Sequence, residues 1–103
     1  MYQEFGTVSQ ITDEFVANFL KEDYESMEDN DKILLSTIIN SAIGYMTSIT
    51  GLSEDELDEY PEFVIALLVL TQDMWDNGTY VVDKTSTNKT VDAILDAHRI
   101  NLI

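Results

Sequence analysis

The run Phe63-Val64-Ile65-Ala66-Leu67-Leu68-Val69-Leu70 constrains this chain more than any other feature. Its continuation through Met74 and Trp75 predicts a helix over about Glu62 to Asp76 that is apolar on every side, and such a helix belongs at the buried centre of a domain. A short parallel strand is the competing reading, and the length of the run favours the helix. Pro61 suits its first turn and Asn77-Gly78 its end. The rest of the chain has to wrap around this segment.

The wrapping elements also read as helices. Thr7 and Gln10 have capping-box spacing, which predicts a first helix over about Val8 to Lys21 with Ile11, Phe15 and Phe19 facing the core. Glu22 to Asp31 reads as an acidic loop. A long helix follows over about Asp31 to Thr50, with Asn30 as its N-cap and Gly51 as a left-handed stop. Its amphipathic set is Leu35, Ile38, Ile39, Ala42, Ile43, Met46 and Ile49. Ser53 and Glu56 form a second capping box, Leu52 can staple onto Leu57, and Pro61 limits that piece to one or two turns. Tyr80-Val81-Val82 alone has strand character, inside a polar loop over about residues 79–89 that reads as mobile. Thr90 can cap a last helix through about Arg99, with Val91, Ile94, Leu95 and His98 on its inner stripe. The expected fold is all-α: one domain over residues 1–103, a four- to five-helix bundle with a flexible loop before the C-terminal helix.

Charge narrows the function. Twenty acidic residues against five basic ones give a formal net charge of −15, and without a basic patch there is no electrostatic footprint for gripping nucleic acid. The acids fall mainly in two blocks, residues 13–31 and 54–62, with bare stretches between. Both blocks read as solvated surface, or as a negative surface that faces DNA without holding it or meets a basic partner. Met1-Tyr2-Gln3-Glu4-Phe5 lacks the basic and apolar regions of a signal peptide. The apolar run from Phe63 is far short of the roughly 20 residues that span a bilayer. A soluble protein used inside a cell or particle is expected, with no membrane partner.

Reactive chemistry is hard to assemble from these residues. The chain has no cysteine, and therefore no disulfide or thiolate. His98 is the single imidazole, and its place on an inward stripe, with no nucleophile-elbow pattern nearby, points to packing or capping. Asp29-Asn30-Asp31 fails the calcium-loop test, because Leu34 stands where the turn glycine is needed. Four scattered glycines make no phosphate cradle. No enzymatic activity, cofactor or metal is expected.

Two motifs carry a resemblance. The apolar helix closes in Asp73-Met74-Trp75-Asp76-Asn77, and the last helix runs into Ile94-Leu95-Asp96-Ala97-His98-Arg99-Ile100-Asn101-Leu102-Ile103. Taken with the order of short helix, acidic loop, long helix ending Tyr45-Met46-Thr47-Ser48-Ile49-Thr50-Gly51, apolar helix, loop and terminal helix, the chain resembles the head-tail connector (adaptor) proteins of long-tailed bacteriophages, in particular those of phages and prophages of Gram-positive bacteria. The resemblance covers nearly the whole chain, and the terminal motif with His98, Asn101 and Leu102 is its more distinctive part. Family members usually carry Arg after the Asn, where this chain has Gly78.

The resemblance implies a structural virion protein at the head-tail junction, assembled in the bacterial host cytoplasm. It implies a homo-oligomeric ring beneath the portal protein that extends the DNA channel, lets DNA pass without specific binding, and offers a platform to a head-completion or tail-side protein. It also implies that the loop and the terminal segment reach neighbours. That gives Tyr80, Val81, Val82, Lys84, Lys89, His98, Arg99, Ile100, Asn101, Leu102 and Ile103 as the candidate interface. The residues add two points: Ile100, Leu102 and Ile103 form an apolar end that a partner or the chain's own core must cover, and Tyr80-Val81-Val82 can add a strand to a neighbour. The alternative class is a small acidic inhibitor that mimics DNA and binds a host nuclease or restriction enzyme, and a generic helical interaction module is a third.

Overall fold

A computed structural model describes residues 6–79 and 88–99, which form an all-α bundle. Five α-helices appear among the described residues: α1 (Asp13–Phe19), α2 (Asp29–Thr50), α3 (Glu54–Leu57), α4 (Glu62–Asn77) and α5 (Lys89–Ala97). Two 3₁₀ turns, Val8–Gln10 and Tyr24–Ser26, precede α1 and α2. Tyr80, Val81, Val82 and Lys84, and with them the expected strand, lie outside the described residues, as do Ile100 to Ile103.

α4 is the hub of the bundle, packing chiefly against α2 and α5 and touching α1. Phe63, Ala66 and Leu67 of α4 are fully buried among Leu35, Ala42 and Met46 of α2, Val16 and Ala17 of α1 and Leu57 of α3. Val91 and Leu95 of α5 close the cluster at 1% exposure each. Each large apolar side chain removed from water in this way contributes about 2 kcal/mol before chain entropy is set against it. Trp75, on the last turn of α4, packs half-buried against this core. By length and composition alone the 22-residue α2 could cross a bilayer, yet in this fold its inner face builds the core.

The helix stops act as the glycines suggest. Gly51 (φ +79°) closes α2, its N–H bonding the Thr47 carbonyl at 2.9 Å. Gly78 (φ +67°) closes α4 with the paired Thr79-to-Met74 and Gly78-to-Trp75 bonds of a Schellman end. α1 ends the same way on Lys21 (φ +67°), through Glu22 to Ala17 and Lys21 to Asn18, so a lysine holds a conformation that favours glycine. The Ser53–Glu56 capping box forms in both directions, at 2.8 and 3.2 Å.

Several boundaries differ from expectation. The first helix is broken: Gln10 Oε1 accepts the N–H groups of Gly6 and Thr7, the chain extends at Ile11, and Thr12 starts α1 by accepting the Phe15 N–H at 3.0 Å. The helical register therefore begins at residue 13, which turns Val16 and Ala17 inward and leaves Phe19 39% exposed. The acidic loop contains the Tyr24–Ser26 turn, held to α2 by Lys32 Nζ at 4.7 Å from the centre of the Tyr24 ring. α2 starts two residues early, after Glu28, because Asp29 and Asp31 suit the positive end of a helix dipole. α5 is capped by Asn88, whose Oδ1 accepts from the Thr90 and Val91 N–H groups, so Thr90 lies inside the helix. α4 is also not buried all round, since Ile65 is 52% exposed.

Candidate functional site

The carboxyl end of α5 gathers two described polar side chains that link distant parts of the chain, while Asp58 makes another such link by accepting the Ser9 N–H at 2.9 Å. His98 follows the last residue of α5 as its C-cap, and its N–H bonds the Leu95 carbonyl at 3.2 Å. Its ring lies 4.2 Å from the Tyr60 ring and 5.0 Å from the Phe63 ring, centre to centre. Its Nε2 meets Glu62 Oε2 at 2.6 Å, across 36 residues of sequence. Pro61 fixes the start of α4, which places Glu62 in the first turn facing this corner. The Glu62 carboxyl is held below the usual glutamate range, first by its own backbone N–H at the helix start and then by His98.

Arg99 forms a second tie. Its Nε donates to the Ile49 carbonyl at 3.2 Å, placing a cation at the carboxyl end of α2 where the helix dipole favours one. Its terminal nitrogen stands 3.7 Å from Asp96 Oδ1, exposed and adding little. Tyr45 of α2 lies in the same field. Burial pushes its phenol up, the Asp92 charge adds to that, Arg99 opposes it, and Asp96 adds again.

Of the eleven candidate interface residues, the structure brings His98 and Arg99 together. Lys89 is exposed at the other end of α5, about 14 Å away by helical rise. Tyr80, Val81, Val82, Lys84, Ile100, Asn101, Leu102 and Ile103 lie outside the described residues. Tyr60, Glu62 and the Ile49 carbonyl are the contributors that sequence reading missed. An acid in a helix's first turn is too common to single out Glu62, and a backbone carbonyl leaves no mark in a sequence.

Chemically the corner is a clasp. An imidazole–carboxylate pair resembles two-thirds of a relay, but no hydroxyl among the described residues hydrogen-bonds His98. Nor do three His, Asp or Glu side chains converge on a metal-sized site among the described residues. The geometry fastens α5 to the start of α4 and the end of α2, and so fixes where Arg99 sits. Compared with known protein families, curated proteins and solved structures, the chain matches none.

Proposed function

We propose that this chain is a subunit of a head-tail connector of a long-tailed bacteriophage, seated as a ring beneath the portal protein at the head-tail junction. The order of elements carries the reading. A short α1, an acidic turn, a long α2 closed at Gly51, an apolar α4 closed at Asn77-Gly78 and a terminal helix follow in the sequence the resemblance calls for. The acidic surface adds support, because a channel wall that DNA slides past must not hold phosphates. The clasp supports a structural role for His98 in presenting the terminal segment.

The test is quantitative mass spectrometry of purified particles from a host that carries this sequence. A copy number comparable to the portal protein is expected. Absence from particles, with abundance in infected cells, overturns the connector role and favours the DNA-mimic inhibitor. Deleting Ile100 to Ile103 is expected to abolish assembly onto the portal while the circular dichroism of the helices persists. Retained assembly would remove the terminal segment from the interface.

A further inference from the structure

The chain has six asparagines, and only Asn77 is followed by glycine. That pairing carries chemistry of its own. The amide carbon of an asparagine is open to attack by the backbone nitrogen of the next residue, and a side chain on that residue obstructs the approach. Glycine removes the obstruction. Asn40 precedes Ser41 in the middle of α2, and Asn18 and Asn30 precede Phe19 and Asp31 inside helices. Asn88 precedes Lys89 and has its Oδ1 engaged by the Thr90 and Val91 N–H groups. Asn101 precedes Leu102, outside the described residues.

The fold decides whether the pair reacts. Asn77 is the last residue of α4, and both it and Gly78 are exposed. A Cβ at Gly78 would meet no atom within 4 Å, so a ring closing there has room. Two backbone donors hold the reacting atoms apart. The Gly78 N–H is shared between the Trp75 and Met74 carbonyls, and the Thr79 N–H meets the Met74 carbonyl at 3.0 Å. The Gly78 bond to Trp75, at 3.3 Å, is the longest of those that close α1, α2 and α4. Both donors belong to the last turn, where helices open locally without the core. One such bond changes a population by a factor of about five, so opening both slows the reaction about thirtyfold. Reaching Asn40 means opening the middle of α2 beside buried Ile39 and Ala42, a slowing on the order of a thousandfold or more.

We infer that Asn77 is a site of spontaneous deamidation in the folded chain, which converts the close of α4 to aspartate and isoaspartate. The Gly78 nitrogen bonds to Asn77 Cγ, the Cγ–Nδ2 bond breaks, and the amide leaves as ammonia with the proton that Gly78 gives up. Water then opens the cyclic imide at either carbonyl, restoring one acid and one amide. Nothing is oxidised or reduced, and water is the sole co-reactant. Either product sets a carboxylate at the negative end of the α4 dipole, one turn from Asp73. The isoaspartyl form also adds a backbone carbon between residues 77 and 78, which breaks the register of the Schellman bonds. The closing turn of α4 is therefore the part of the fold that loosens first as the protein ages. This site does not rest on the connector reading.

The test is warm incubation of the full chain, folded in buffer and unfolded in guanidinium chloride, followed by peptide mapping and labelling with an isoaspartyl methyltransferase. In the folded chain Asn77 should convert ahead of Asn18, Asn30, Asn40 and Asn88 by about tenfold or more, and about thirtyfold more slowly than when unfolded. Ammonia release from the folded chain should fall by about as much in Asn77→Gln, whose longer side chain closes a less favoured ring. Conversion at Asn77 no faster than at any of the other four overturns the proposal. Slowing of about a thousandfold on folding overturns it too, because the last turn would then open only with the core. Ammonia release that Asn77→Gln leaves unchanged has the same meaning.

Discussion

Thr50 and Thr71 are both fully buried, and they differ in where each hydroxyl goes. Thr50 Oγ1 donates to the Met46 carbonyl at 2.7 Å and accepts the Leu52 N–H at 3.1 Å, which ties the end of α2 to the chain beyond Gly51. Thr71 Oγ1 finds no partner among the described residues. An unmade buried hydrogen bond costs about 1–3 kcal/mol, whereas an apolar group of the same shape avoids that cost. The same substitution should therefore have opposite signs. Thr71→Val is expected to raise unfolding stability by about 1 kcal/mol, and Thr50→Val to lower it by about as much or more by stranding the Leu52 N–H. Urea denaturation of the two variants checks this, and equal signs would contradict it. Neither role was legible in the sequence, where both residues read as polar positions within apolar helices.

At the scale of elements, legibility followed distance along the chain. Gly51, Gly78, Pro61 and the Ser53–Glu56 box act within a few residues of themselves, and their consequences were readable. The caps of α2 and α5 each moved two residues earlier and that of α1 five residues later, because alternative capping groups stand nearby and tertiary packing picks the winner. Phe19 and Ile65 show two further limits: the later start of α1 turned Phe19 off the core face, and an all-round apolar run did not show how much of Ile65 the neighbours can cover. The clasp was unreadable because its contacts span 36 and 50 residues. It carries a pH signature. The folded state holds Glu62 below the usual glutamate range, so its contribution is present above that range and is lost as the pH falls through it. The stability gap between the wild-type chain and Glu62→Gln should therefore close as the pH is lowered through the acid range, as thermal unfolding at a series of pH values would show. A gap that widens on acidification would rule the clasp out as a source of stability.

On the scale of the whole molecule, a net charge of −15 on 103 residues sets self-repulsion against a modest core. Few cations offset it: the exposed Arg99–Asp96 pair is marginal, and Lys32 is engaged with Tyr24. Raising ionic strength from about 0.01 to 0.15 M shortens the screening length from about 30 to 8 Å. The midpoint of thermal unfolding should rise across that range at neutral pH, and a flat or falling midpoint would mean that the acids are already compensated. Trp75 has a further consequence. It is the single tryptophan of the chain, set half-buried where α4 meets its glycine stop. The protein thus contains one indole at one known address, and its emission, excited to the red of the five tyrosines, reports on the closing turn of the central helix without any label.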